Sequence, residues 1–507
     1  MLRVVYYTVL LLSLACSPFA QAEIRLAKIF TDHMVLQQEM PIRIWGWADP
    51  GEQVTASFAG KTGSTKAKDD GSWRIDLPAM KSDGKTYSLK IQGSSTIELK
   101  DIVLGEVWIA AGQSNMNREV RIEGDHPGIR LYWLHGAKTP TQRDFGDNAL
   151  GWSPATQQSL ETFLPARQAI HKSYGMGTAE VGWVFGKRVH ETMDVPVGVI
   201  KTAFGGSQAR AWTPIENFTE KYSYGKEEEG GYIGHRPGLL YNTMLQWLGP
   251  MSVRGVVWYQ GENNGRDWDY DQELNAMIAA WRELFEQPDM PFYLAQIGQT
   301  SYASNMLRVW ECQAKVSADD PDTYLGMSVN LYDAVNGKGA TRIHEDTEKE
   351  KGTGWPLAGS SNPHPPNKHI VANRLADLAM VNTYGKDLNK EVHAPRYASH
   401  RAEGNKLIVT FTNVGDGLKT DDGKVPDWFE ISDGSQAERK GEKWPLIYHQ
   451  ASAKIIGKDT VELTATGIDR PTYVRLGWHT YARQNLVNSS GLPVVNFRTD
   501  TQQTKAR

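Results

Sequence analysis

Two short stretches of this 507-residue sequence bring together residue types that could do nucleophilic chemistry. In "AAGQSNMN" (110–117), Ser114 follows an apolar run, and Gly112 permits a sharp turn there. In "SSNPHPPNKH" (361–370), prolines flank His364 and restrict its backbone. A histidine that takes the hydroxyl proton is what turns a serine into a nucleophile. Each stretch alone is weak, because a turn serine and a loop histidine are often structural.

Two further stretches could supply hydrogen-bond donors to the same site. In "AFGGSQARAW" (203–212), a Gly-Gly pair allows a backbone N–H to approach a ligand closely. The apolar run before "WYQGENN" (258–264) is followed by four polar residues, which packing does not explain. They are Gln260, Glu262, Asn263 and Asn264. Together the four stretches predict a serine nucleophile, a histidine base and donors for an oxyanion.

The elements that must position these residues alternate between strands and helices. Apolar runs such as "DIVLGEVWIAAG" and "VRGVVWYQG" are typical of buried parallel strands, and "DQELNAMIAAWRELFEQ" has the period of an amphipathic helix. We therefore predict a three-layer α/β domain with a parallel sheet over residues 101–385. In such sheets ligands bind at the carboxyl ends of the strands, where all four stretches fall.

The regions on either side of this domain alternate polar and apolar residues. Residues 23–100 carry turn signals every eight to twelve residues, which predicts an antiparallel β-sandwich module. Residues 390–507 form a second β region, either a separate module or the completion of the first sandwich. Residues 215–240 and 334–360 are poorly periodic and are expected to be loops on the functional rim.

The N-terminus has the features of a secretory signal peptide over residues 1–22. An apolar segment follows Arg3, and small residues before Ala22 offer a cleavage site, which predicts a secreted or periplasmic protein. A lipid anchor through Cys16 is a weaker alternative. After cleavage only Cys312 remains, so the mature chain has no internal disulfide.

The net charge and the composition restrict the classes of partner that the protein could bind. The formal net charge is -4, and there is no basic stripe, which argues against nucleic acid. No later segment of the mature chain has the pattern of a transmembrane helix. Seventeen tryptophans and twenty tyrosines would suit sugar stacking, although most of them are expected in cores.

Several motifs resemble those of the sialate O-acetylesterase family, a secreted branch of the SGNH hydrolases that overlaps bacterial acetyl-xylan esterases. They are "GEVWIAAGQSNM", "FGGSQARAW", "LLYNTML", "WYQGENN" and "HPPNK". The resemblance extends to residues 29–54 and 474–500 and so covers most of the mature chain. It implies a flavodoxin-like SGNH hydrolase domain flanked by β-sandwich regions, and removal of acetyl esters from carbohydrates without a metal or another cofactor.

The resemblance also implies residue roles. Ser114 is then the nucleophile and His364 the base. The backbone N–H groups of Ser114 and Gly206 form an oxyanion hole with a side chain from "WYQGENN" (258–264). Gln260 is the first choice for that side chain and Asn263 the second.

The sequence departs from the family at the triad acid. Members usually carry Asp two or three residues before the histidine, whereas this chain has Asn362 and Ser361. The acid could come from elsewhere, the enzyme could run on a Ser–His dyad, or the protein could be a weakened relic. We favour a relocated acid, with Glu262 as the candidate and Asp333 as the alternative.

The substrate follows less directly from the residues. Trp212 and Trp258 could stack on a sugar, and Arg210 could bind a sialic or uronic carboxylate. We expect acetylated xylan or another hemicellulose first, and O-acetylated sialic acid second. A carbohydrate-binding protein on an inactive esterase scaffold is the alternative of another class. A peptidase or lipase is disfavoured, because no G-x-S-x-G is present.

Overall fold

The structure is a computed structural model that describes residues 23–134, 149–162, 177–218, 232–265, 267, 269–300, 302, 306–328, 362–365, 367–439 and 442–500. Four of the sequence predictions lie outside these residues: the signal peptide with Ala22, the anchor residue Cys16, the rim loop at 334–360, and the alternative acid Asp333.

The N-terminal module is built from short strands that pair antiparallel, as predicted, except that the strand Val35–Gln37 pairs in parallel with the strand Thr96–Gly112. Their alternating burial places every second side chain of a strand such as Gln53–Phe58 in the core. One sheet has the order β1-β3-β6, and β4 pairs with β5 and β7 in a second layer. The strands are β1 (Arg25–Leu26), β2 (Val35–Gln37), β3 (Ile42–Trp47), β4 (Gln53–Phe58), β5 (Lys61–Lys66), β6 (Ser72–Leu77) and β7 (Thr86–Gln92).

A single long strand, β8 (Thr96–Gly112), joins this module to the α/β domain. Its first half pairs antiparallel with β7, and its second half lies in the parallel sheet. The burial pattern changes along it from alternating to continuous, because the second half is covered on both faces. The predicted boundary at residue 100 therefore falls inside a strand and not in a linker.

The central sheet has the strand order β11-β10-β13-β8-β14-β15-β16. All its neighbours are parallel except β10 and β11. The strands added here are β9 (Glu119–Arg121), β10 (His126–Leu134), β11 (Ala149–Ala155), β12 (Gly177–Ala179), β13 (Val197–Ala203), β14 (Gly255–Tyr259), β15 (Phe292–Ala295) and β16 (Thr323–Gly326); β9 and β12 form a separate pair.

Helices cover both faces of this sheet. Successive residues of β8 enter different cores: Trp108 packs with one apolar cluster and Ile109 with the other. This alternation gives the three layers that the sequence predicted, so the predicted α/β fold class is confirmed. The helices are α1 (Ser114–Asn117), α2 (Glu180–Met193), α3 (Tyr270–Leu284), α4 (Met306–Asp319) and α5 (His369–Asn382).

The C-terminal β region has its own core, which joins residues of two four-stranded sheets. Within the described residues its strands pair only with one another, so it does not complete the N-terminal sandwich. Its strands are β17 (Arg396–Glu403), β18 (Lys406–Thr412), β19 (Lys419–Thr420), β20 (Phe429–Ser432), β21 (Gln436–Arg439), β22 (Glu442–Leu446), β23 (His449–Gln450), β24 (Ser452–Ile455), β25 (Thr460–Thr464), β26 (Tyr473–Leu476), β27 (Leu486–Val487) and β28 (Phe497–Arg498).

Among the described residues, none of the helices combines the length and the apolar character that crossing a bilayer requires.

Candidate active site

Ser114 lies at the carboxyl edge of the central sheet because of a tight turn after β8. Gly112 has φ 140° there, and a Cβ on it would collide with the carbonyl of Tyr259 on the neighbouring strand. The next residue, Gln113, donates its backbone N–H to that same carbonyl at 3.0 Å. The chain then enters the short helix Ser114–Asn117, which leaves the serine hydroxyl half-exposed at its start.

His364 reaches this serine from a distant part of the chain. Its Nε2 lies 2.8 Å from Ser114 Oγ, although the two residues are 250 positions apart. That distance is within hydrogen-bond reach for an activated nucleophile. The structure therefore brings together the two residues that the sequence singled out first.

Asn362 occupies the place at which a triad carboxylate was expected. Its Oδ1 accepts the backbone N–H of His364 at 3.1 Å and lies 2.7 Å from Nδ1 of the same residue. A backbone N–H can only donate, so the amide atom that faces both groups must be the oxygen. The Nδ1 atom is then the protonated one, and Nε2 is the acceptor for the serine hydroxyl. Asn362 thus supplies the orientation of a triad acid without its charge.

The surroundings of His364 favour the neutral imidazole. Partial burial, followed by the positive charges of Lys368 and Arg118, lowers its pKa below the usual value of 6.5. A neutral ring is the form that can accept a proton. The histidine is therefore ready to act as a base at neutral pH.

Glu262 does not contact His364, which corrects the expectation that it is the relocated triad acid. Its side chain is fully buried, and its Oε1 accepts the Nδ2–H of Asn115 at 2.6 Å. Burial raises the pKa of Glu262 to about 7, against weaker lowering contributions from hydrogen bonds and Lys368. The Glu262 carboxyl is connected to the histidine turn through Asn115, which donates both to this carboxyl and to the Pro363 carbonyl.

The turn after β13 lies beside the nucleophile. A Cβ on Gly205 would meet the Cβ of Ser114 at 3.8 Å, and Gly206 has φ 70°. Asn263 is half-buried at this turn, and its Nδ2 donates to the Gly206 carbonyl and lies 2.8 Å from Nε2 of His235. Gly206 therefore lies in the turn beside Ser114, whereas the Nδ2 atom of Asn263, the second choice for the oxyanion side chain, is already engaged by the Gly206 carbonyl and His235.

Gln260 is not available as an oxyanion donor, and the structure corrects this first choice. Its side chain is fully buried below the site. The Nε2 atom donates to the Ser207 carbonyl at 3.0 Å and to Asn264 Oδ1 at 2.6 Å, while Oε1 accepts the hydroxyl of Tyr270 at 3.0 Å. Both ends of the amide are already used to build the strand end.

The two tryptophans proposed to stack on a sugar belong to the core, which corrects that expectation. Trp212 and Trp258 are each 0% exposed, and they pack edge to face with ring centroids 5.9 Å apart. Arg210 is half-exposed at the rim, and its Nε donates to the His235 carbonyl at 3.0 Å. Of the three predicted substrate contacts, only Arg210 remains at the surface of the site.

Sequence reasoning missed two residues that contact the histidine turn. Asn115 Nδ2 donates to the Pro363 carbonyl at 2.8 Å, and Lys368 Nζ donates to the Pro365 carbonyl at 2.9 Å. Both residues stand inside the quoted stretches, directly after the serine and four residues after the histidine. Because neighbouring residues in both stretches are also polar, nothing in the sequence distinguished these two.

A serine paired with a histidine at the carboxyl edge of a three-layer α/β sheet is the arrangement of a serine hydrolase. Residues 104–360, just over half of the chain, match the family model described as carbohydrate esterase, sialic acid-specific acetylesterase. The chain belongs to this family, and the protein is a carbohydrate acetylesterase.

Similarity to individual proteins extends beyond the matched segment. The chain is 25% identical over 441 residues to the human sialate O-acetylesterase, with 76% of each chain covered. It is 23% identical over 481 residues to the mouse sialate O-acetylesterase, with 80% of this chain and 82% of that protein covered. A solved carbohydrate acetylesterase from Xanthomonas citri matches with a TM-score of 0.75 and 27% identity, covering 95% of this chain and all of that one.

Proposed function

We propose that this protein removes O-acetyl groups from a glycan, with Ser114 as nucleophile and His364 as general base. The contact of 2.8 Å between Ser114 Oγ and His364 Nε2 carries this proposal. Asn362 replaces the triad acid as the group that orients the imidazole. The proposal therefore differs from the sequence expectation of a relocated carboxylate.

The mechanism has two steps, and in each of them His364 first accepts a proton and then donates it. His364 takes the Ser114 proton as Oγ attacks the acetyl carbonyl, and the imidazolium then gives that proton to the departing sugar oxygen. In the second step His364 takes a proton from water as the water oxygen attacks the acetyl-enzyme, and the imidazolium then returns that proton to Ser114 Oγ as the bond to the acetyl group breaks and acetic acid leaves. The backbone N–H groups of Ser114 and Gly206 are the proposed donors to the oxyanion in both steps, and Asn263 holds the Gly206 turn through its bond to that residue's carbonyl.

The two candidate substrates are O-acetylated sialic acid and acetylated xylan, and we rank them from the comparisons and from the charged residues near the site. The matched family and the mammalian relatives are named for sialic acid, which favours an O-acetylated sialic acid. Arg118 is exposed next to the nucleophile helix and Arg210 lies at the rim, so positive charge is present for a carboxylate. Acetylated xylan, the first expectation from the sequence, is the second candidate, and burial of Trp212 and Trp258 removes the predicted stacking platform for either sugar.

The expected cellular location stays part of the proposal. A cleaved signal peptide over residues 1–22 would place the enzyme in the periplasm or outside the cell, where acetylated glycans are met.

The test is acetate release by the purified mature protein from O-acetylated sialic acid and from acetylated xylo-oligosaccharides, with Ser114→Ala as the matched inactive control. We expect release from one substrate class and its loss in the control, together with a covalent adduct on Ser114 after treatment with an organophosphonate. A folded protein that releases no acetate and forms no adduct would instead support the carbohydrate-binding alternative.

A further inference from the structure

The segment that carries His364 has almost no backbone donors of its own. Proline has no N–H, so between Asn362 and Pro365 the only backbone donor after Asn362 is that of His364. That N–H is used by the Asn362 side chain. The segment therefore cannot be held in place by a ladder of backbone hydrogen bonds, and other groups must do so.

The carbonyl on the N-terminal side of His364 is held by Asn115. This side chain is 0% exposed, and its Nδ2 donates both to the Pro363 carbonyl at 2.8 Å and to Glu262 Oε1 at 2.6 Å. Asn115 is the residue after the nucleophile, so one side chain connects the serine turn to the histidine turn. Glu262 fixes the direction in which the two N–H bonds of that amide point.

The carbonyl on the C-terminal side of His364 is held by Lys368. Its side chain is 0% exposed, and its Nζ donates to the Pro365 carbonyl at 2.9 Å. Burial lowers the pKa of Lys368 to about 8, as does Arg118, while Glu180 and Glu262 oppose the effect. A buried cation directly before the helix His369–Asn382 is also disfavoured by the helix dipole, so this lysine does not stabilise the helix start.

We propose that Asn115 and Lys368 are positioning residues that hold the histidine turn from both sides, and that Glu262 acts through Asn115. The proposal rests on the function proposed above, because positioning matters only if His364 is the base. Asn115 and Lys368 hold the backbone of the turn through two proline carbonyls, whereas Asn362 orients the imidazole ring itself. The proposal also gives Glu262 a role that its distance from the ring otherwise denies it.

The first test compares kcat and KM for 4-nitrophenyl acetate, a small ester that makes few contacts with the sugar site. We expect Asn115→Ala and Lys368→Met to lower kcat by about 10- to 100-fold with KM within about twofold, because a displacement near 1 Å is enough for such a loss. Asn117→Ala is the matched control on the same short helix, and its kcat should equal that of the wild type.

The second test separates positioning from charge at Glu262. Glu262→Gln keeps an oxygen that can accept the Asn115 bond, so its kcat should stay within about threefold of the wild type. Glu262→Ala should lower kcat as much as Asn115→Ala does. The double variant Asn115→Ala/Glu262→Ala should have the same kcat as Asn115→Ala alone, because both changes break the same chain of contacts.

The single variants could lose activity only because they do not fold, so a third test uses the double variant Asn115→Leu/Glu262→Met. It removes both buried polar side chains together, so neither is left without its partner. Its kcat should fall with its thermal transition intact. The proposal is overturned if this variant or Asn115→Ala keeps wild-type kcat, or if Glu262→Gln is as impaired as Glu262→Ala. Failure of the proposed function looks different, since the wild type itself would then release no acetate and leave Ser114 unlabelled.

Discussion

At the scale of single residues, a triad carboxylate both orients the histidine ring and stabilises its positive charge. Asn362 performs only the first of these two tasks. Replacing the triad Asp by Asn in serine proteases costs about ten-thousandfold in rate through the wrong histidine tautomer. Here the backbone N–H of His364 fixes the amide oxygen toward Nδ1, so the tautomer is the productive one. What is missing is the negative charge that would stabilise the imidazolium.

This missing charge predicts the effect of restoring the acid. Asn362→Asp should raise kcat by about tenfold or more and raise the pKa of His364, because a carboxylate favours the charged ring. The neutral base is lost as pH falls through that pKa, so the acid limb of kcat/KM should move to higher pH. In the wild type, the lowered pKa of His364 puts the midpoint of this limb below pH 6.5.

The measurement is the pH profile of kcat/KM for both proteins, with Asn362→Ala as the control that removes orientation and should lower activity. An Asn362→Asp variant with unchanged rate and an unmoved acid limb would show that Asn362 does not act on His364 in the reaction.

Single residues also show what the sequence could predict and what it could not. Ser114 and His364 were identifiable because a glycine permits a sharp turn before the serine and prolines restrict the backbone around the histidine. The burial of Trp212 and Trp258 was not identifiable, because whether a tryptophan packs inward depends on the elements that cover it. The role of Asn362 was missed because amide direction depends on a three-dimensional contact and not on spacing.

At the scale of elements, the site depends on how β8 and β14 end side by side. Gly112 and Tyr259 are direct neighbours in the parallel register, which brings the serine turn against the strand that leads to Glu262 and Asn263. The apolar run from residue 101 predicted this strand correctly. Its true start at Thr96 was not predicted, because the strand changes from alternating to continuous burial without any turn signal.

The same pairing predicts a sharp intolerance at the turn. Gly112→Ala should lower the free energy of unfolding by about 2–4 kcal/mol, because the residue combines a positive φ with a collision against the Tyr259 carbonyl. Denaturant unfolding of the purified variant measures the loss. Gly205→Ala is the matched control, since its new methyl group would meet only the Ser114 Cβ at 3.8 Å. Equal stability of the two variants would contradict this account of the turn.

At the scale of the whole molecule, the two β regions relate differently to the catalytic domain. The N-terminal module shares β8 with the central sheet, and one apolar cluster contains residues from both. The C-terminal region has a separate core. Of its buried, described residues, only three join the two apolar clusters of the catalytic domain, and these are Val392, Ala394 and Val495. The region also contacts the helix Met306–Asp319 through polar groups. Arg498 pairs with Glu311 at 2.9 Å, and Arg396 donates to the Ala314 carbonyl at 3.0 Å.

These contacts predict unequal effects of truncation. A chain restricted to residues 101–385 should be insoluble or unfolded, because it cuts β8 and exposes the apolar side chains that the N-terminal module covers. A chain of residues 23–388 keeps that module and loses only three of the described side chains in the two apolar clusters of the catalytic domain, so it should fold and retain measurable esterase activity. Soluble yield, thermal unfolding and hydrolysis of 4-nitrophenyl acetate distinguish the two. If residues 101–385 fold alone with full activity, the shared strand is not a structural requirement, and the boundary read from the sequence is the functional one.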